Sequence, residues 1–180
     1  MIPSPLLRLS LAAAALTGAS AAGAHIVFAE PAAVAGGYYT GHLRVSHGCG
    51  GSPTVAIRVR IPDGVSVARP QPKPGWTLSL EKAPLAQPVR SEGGELVRER
   101  VVAITWTGRL PADQFDEFGV MLKLPDAAGP LYFPTSQRCE TGSTEWTTIP
   151  AAGQAWHAVK TPAPVLTLAA GPAPMAGMKM

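Results

Sequence analysis

Hydrophobic and polar positions alternate along much of this chain with a period of two, and the alternation stops and restarts at turn residues. In residues 39–46, Tyr39, Gly41, Leu43 and Val45 fall on one side, and Thr40, His42 and Arg44 on the other. Residues 54–61 repeat the pattern, with Val55, Ile57, Val59 and Ile61 inward and Arg58 and Arg60 outward. The Pro62-Asp63-Gly64 that follows is a turn with a mechanism, since proline sets φ and glycine permits a positive one. Further strands are expected at residues 25–29, 65–68, 76–82, 96–107, 115–124, 131–133 and 144–149. The polar stretch 87–94 reads as a loop, and Trp76 and Trp106 as core residues. No stretch of useful length carries a helical period. Strands that alternate with turns rather than helices argue against a parallel α/β sheet. They predict an all-β fold, an antiparallel β-sandwich of the immunoglobulin or fibronectin type.

The first 24 residues break this pattern. Arg8 supplies a positive start, and residues 9–16 form an apolar run far short of the ~20 residues of a membrane span. Ala22-Gly23-Ala24 is an A-x-A cleavage site, so residues 1–24 read as a secretory signal peptide cut after Ala24. The mature protein is then expected to be periplasmic or secreted, with His25 first. Residues 25–160 form the sandwich domain in this reading. Residues 161–180, rich in Pro, Ala and Gly, read as a disordered, Met-containing tail.

Composition narrows the class. The 19 glycines and 19 prolines disfavour helices, and charged residues make up only 15% of the chain. The formal net charge of +3 includes Arg8, and no Lys/Arg cluster suggests nucleic acid. Nothing after the leader is long and apolar enough to span a membrane. Cys49 and Cys139 are the two cysteines. Behind a signal peptide they read as a disulfide, the alternative being a pair of thiolates on a soft metal.

A free N-terminal histidine offers a metal two nitrogens, the α-amine and imidazole Nδ1, which close a chelate ring. Nitrogen donors in a tetragonal arrangement suit Cu(II) among the divalent first-row ions. A free α-amine has a reference pKa of about 7.7–8.0. Copper must displace its proton, so affinity is expected to fall on acidification. Glu30 and Glu140 are candidate oxygen ligands, or simply surface carboxylates. His42 reads as a solvated strand residue and His157 as incidental. Met175, Met178 and Met180 carry soft thioethers and are candidates for a second, Cu(I) site in the tail.

Several segments in order resemble the YcnI-like (DUF1775) copper-binding domains. They are His25-Ile26-Val27 with Pro31, Arg44-Val45-Ser46-His47-Gly48-Cys49, and Val59-Arg60-Ile61-Pro62-Asp63-Gly64-Val65. Pro72-Lys73-Pro74-Gly75-Trp76, Ile104-Thr105-Trp106-Thr107-Gly108, Phe115-Asp116-Glu117-Phe118 and Leu131-Tyr132-Phe133-Pro134 follow, then residues 137–146. The resemblance implies a sandwich of immunoglobulin-like or cupredoxin-like shape and Cu(II) held by a single-histidine brace. It implies His25 as the brace and Trp146 as a tryptophan close to the metal. The family's acidic ligand has no counterpart here, because the chain reads Ser46-His47-Gly48-Cys49 where the carboxylate is expected. His47, in a Gly-rich corner, is the nearest donor and the candidate replacement. A Cys49–Cys139 bridge would pin that corner to the segment leading to Trp146.

The expected function is non-catalytic copper handling, as a chaperone, buffer or delivery protein that passes copper to a chaperone or transport partner. An oxygen-activating brace enzyme and a metal-free structural domain are the alternatives.

Overall fold

A computed structural model of the protein describes residues 25–90 and 93–171. Met175, Met178 and Met180, and residues 1–24 with the expected signal peptide, lie outside the described residues. Twelve strands are present among them: β1 (Val27–Phe28), β2 (Ala32–Val34), β3 (Tyr38–Val45), β4 (Thr54–Arg60), β5 (Val67–Pro70), β6 (Thr77–Arg90), β7 (Leu96–Leu110), β8 (Asp116–Lys123), β9 (Gly129–Tyr132), β10 (Thr135–Cys139), β11 (Ser143–Trp146) and β12 (Val165–Ala169). The one helical element among the described residues is a 3₁₀ turn, Trp156–Ala158.

The strands build a four-stranded sheet in the order β1-β3-β8-β5 and a five-stranded sheet in the order β11-β10-β4-β7-β6, all neighbours antiparallel. The sheets bury the faces their alternation predicts, except that Val55, expected inward, is half-buried and Ala56 is buried instead, where a register shift interrupts the pairing of β4 with β7. Tyr39, Gly41, Leu43 and Val45 of β3 are buried, with Phe118, Val120 and Leu122 of β8 beside them. From the opposing sheet come Ile57 and Val59 of β4 and Ile104 and Trp106 of β7, each at most 1% exposed. The layers meet where the Trp106 and Phe118 rings lie 5.4 Å apart, and Trp76 closes edge-on against Phe118 at 4.8 Å. Interdigitation of two alternating inner faces is what a sandwich core requires. Gly41 is needed in β3 because a Cβ there would strike the Tyr39 ring.

A third, small sheet has the order β2-β12-β9, with β12 parallel to β2 and antiparallel to β9. It corrects the domain boundary. The stretch from residue 161 was expected to be tail, yet Leu166 and Leu168 of β12 are 0% and 4% exposed while Thr167 and Ala169 face out. This is a period-two strand behind Pro162 and Pro164, and it caps the sandwich end where Phe28 and Phe133 meet at 4.9 Å. The loop expected at 87–94 is also shorter. Strand β6 continues to Arg90, pairing Val89 with Val97 and Arg90 with Leu96 across a long β6–β7 hairpin. Backbone pairing with β7 holds these residues in a strand although their side chains are exposed.

Candidate metal centre

The site begins at His25, which precedes β1 at the edge of the four-stranded sheet. The next residue, Ile26, is 1% exposed and anchors the segment in the core, so the imidazole is held at the domain surface rather than on a free end. Two indoles meet it. Trp146, the last residue of β11, lies 5.6 Å from the His25 ring at an interplanar angle of 79°. Trp156, in the 3₁₀ turn, lies 5.2 Å away at 67°. Both are edge-to-face contacts, the arrangement aromatic rings favour.

Each indole is fixed by its own N–H. Trp156 Nε1 donates to the carbonyl of Ala163 at 2.7 Å. Trp146 Nε1 donates at 3.0 Å to Oε1 of Gln137, a side chain only 1% exposed. Gln137 Nε2 in turn donates at 2.8 Å to the backbone carbonyl of His47 and at 2.8 Å to Thr54 Oγ1. Gln137 is therefore a fully used hinge between three elements. It sits inward on β10 by the same alternation that buries Thr135 and Cys139.

The Cys49–Cys139 disulfide is formed, and Cys49 N–H also reaches Cys139 Sγ at 3.0 Å. It ties the 47–52 corner to β10. His47 is connected to Trp146 through its main chain and Gln137, while its imidazole Nδ1 turns to the Gly48 carbonyl of its own corner. The glycines of that corner answer to backbone needs. A Cβ on Gly48 would collide with the Ser52 carbonyl, and Gly50 and Gly51 have φ of 55° and 86°.

The carboxylates are engaged elsewhere. Glu140 accepts a 2.8 Å ion pair from Arg109. Glu30 accepts from the His42 backbone N–H at 3.0 Å and faces its ring Nδ1 at 3.2 Å. Slight burial pushes the Glu30 carboxyl up, but the His42 hydrogen bonds outweigh it and hold the group below its usual 4.5. Burial, and then the Glu30 charge, push the Tyr39 phenol well above its ordinary range; its hydroxyl donates to the Glu30 carbonyl at 2.7 Å. Among the described residues, no three His, Cys, Asp or Glu side chains are placed to hold one metal ion. Among the described residues, His25, His47 and a carboxylate thus do not form a ready three-side-chain centre; Glu30 faces His42 and Glu140 pairs with Arg109. A cleft of about 730 Å³ on the sheet surface is lined by Arg58, Arg60, Arg100, Tyr132 and Ile149, among others, but not by His25. Among the described residues, no helix is long and apolar enough to cross a membrane.

Two site residues escape a sequence reading. Gln137 is polar at an inward strand position, which is a usable signal once β10 is recognised. Trp156 lies in the turn-rich stretch 150–160, where nothing periodic marks it. The only cue is that a bulky indole in an otherwise small and polar loop must find a surface to cover.

Comparison with known proteins agrees with the fold. A crystal structure of an uncharacterized protein from Nocardia farcinica, described as revealing an immunoglobulin-like fold, superposes with a TM-score of 0.60 at 32% identity. The match covers 81% of this chain and 98% of that one. No functionally curated protein matches. The family model described as "Domain of unknown function (DUF1775)" matches residues 25–168, from the indole-flanked histidine to the buried end of β12, and the chain belongs to that family.

Proposed function

We propose that this DUF1775 domain is an exported, non-catalytic Cu(II)-binding protein whose metal-gripping group is His25. The observation that carries the reading is the clamping of one histidine, placed directly after an A-x-A cleavage site, between the hydrogen-bonded indoles of Trp146 and Trp156. Once the leader is removed after Ala24, His25 offers an amine and an imidazole nitrogen from a single residue. A chelating residue needs no preformed cluster, and a tetragonal Cu(II) ion accepts water at its remaining positions. Cu(II) is the cargo. The Trp146 and Trp156 rings pack edge-on against the imidazole, and Glu30 and Glu140 pair with His42 and Arg109 instead. Release proceeds by ligand exchange with a copper-chaperone or transport partner in the periplasm or outside the cell. The tail methionines are a candidate second station, for Cu(I).

The test is Cu(II) titration of the exported protein, its mass first showing His25 at the amino end, followed by electron paramagnetic resonance. A tight stoichiometric complex with nitrogen-rich type 2 signals is expected, lost when one extra residue precedes His25. Affinity is expected to fall as pH drops and the amine is protonated. Binding that survives the extra residue would refute the brace, and absence of tight binding would leave a metal-free domain. Sustained peroxide release with copper and a reductant would instead favour an oxygen-activating enzyme.

A further inference from the structure

Trp156 is carried by a closed loop. The chain leaves β11, makes hydrogen bonds from Thr148 N–H to the Thr161 carbonyl (3.0 Å) and from Ala163 N–H to the Thr148 carbonyl (2.9 Å), and so brings the two ends of residues 149–160 together. Inside the loop, Gln154 N–H donates to the Ala151 carbonyl at 2.9 Å, and Ala158 N–H to the Ala155 carbonyl at 3.0 Å. Compact surface loops with pinched ends and self-bonded interiors are Ω-loops. This one has little of its own to hold it down. Most of its residues are exposed, and its 3₁₀ turn contains no buried residue. Its inward contacts include the Trp156 indole, which donates to Ala163 and packs edge-on against His25. Trp146 differs, being 6% exposed and locked into β11 and the Gln137 network.

The two indoles therefore play unequal parts. Trp146 is a fixed wall built into the sheet. Trp156 is a wall on a segment of low local stability, the kind of segment that opens without global unfolding. We infer that Trp156 is a positioning residue that retains the metal-bearing histidine: its Ω-loop must swing away before copper leaves His25, so the loop sets the release rate. The inference rests on the proposed Cu(II) function and adds to it a retaining element and the residue that acts.

The test compares Trp156→Ala and Trp156→Phe with the exported wild-type protein, loaded with one equivalent of copper sulfate and challenged with excess EDTA. An edge-to-face aromatic contact is worth enough to change a rate about three- to tenfold. Trp156→Ala should release Cu(II) faster by about that factor, and Trp156→Phe, which keeps a ring but loses the hydrogen bond to Ala163, should fall between. The melting temperature of the copper-free variants should stay close to wild type, because the loop contributes little to the core. Proton NMR of the copper-free protein checks the contact itself: in Trp156→Ala the His25 ring signals should lose the ring-current contribution of Trp156 and keep that of Trp146. Wild-type release rates in Trp156→Ala would overturn the inference while leaving the copper function standing. A wild-type protein that binds no Cu(II) would overturn both.

Discussion

Replacing Gln137 by leucine tests the network that joins the site to the fold. Gln137 uses two side-chain donor bonds, to the His47 carbonyl and Thr54 Oγ1, and one acceptor bond from Trp146 Nε1, all between 2.8 and 3.0 Å. Leucine has similar bulk and makes none of them. The indole N–H of Trp146, a residue 6% exposed, then has no acceptor, and Thr54, 0% exposed, keeps only a weak 3.8 Å contact to Cys139 Sγ. Each buried polar group left without a partner costs about 1–3 kcal/mol, offset in part by the added apolar burial. A net loss of about 3 kcal/mol is expected, which lowers the Tm of a domain this size by roughly 10 °C. Thermal melts of the copper-free protein by circular dichroism measure it. The Trp146 indole should also lose its fixed orientation, seen as a weaker near-ultraviolet signal. A Gln137→Leu variant that melts within about 2 °C of wild type would refute the network as a structural hinge.

Three further outcomes are expected. Replacing both Cys49 and Cys139 by serine opens a loop with a sequence separation of 90 and should destabilise the domain by about 4–5 kcal/mol in the chain-entropy model, read from urea midpoints. Leu166→Ala in β12 should cost about 2–5 kcal/mol, whereas Thr167→Ala beside it, facing out, should stay within about 0.5 kcal/mol; equal effects would mean that β12 does not cap the core. Because the folded-state pKa of Glu30 is lowered, its contribution to stability is present above its unfolded value and lost as pH falls through the folded one. Glu30→Gln should therefore flatten the acid side of the stability profile from its ordinary 4.5 downward, and parallel curves for the two proteins would sink that assignment.

The parts of the fold legible in the sequence are those where one strand face is buried and the other is wet. Strands β3, β4 and β8 carry that alternation, and Leu43, Ile57 and Phe118 are buried as it requires. Strand β12 was hidden because only two leucines mark it and prolines precede it; its inward face is set by β2 and β9, which lie far away in sequence. The far half of β6 was hidden for the opposite reason, since both its faces are exposed and only pairing with β7 holds it. At the site, His25 is visible from the residues before it and Trp146 only through the family resemblance, whereas Trp156 is not visible, because its position depends on a loop closing on Thr148 and Thr161. The Gly-rich corner at His47 invites a reading as space for a ligand, yet its glycines relieve a clash with Ser52 and supply positive φ.

The parallel pairing of β2 with β12 joins the two extremities of the domain. That pairing cannot form until residues 165–169 are available, and it is a long-range contact, the slow kind for β topologies. His25 sits at the same extremity, one short strand away from β2. If the domain binds Cu(II) as proposed, copper offered before that pairing meets a histidine whose surroundings are unfinished, and a ligand that favours the finished form draws the folding equilibrium forward by mass action. On the proposed function, topology thereby couples maturation of the polypeptide to acquisition of its cargo.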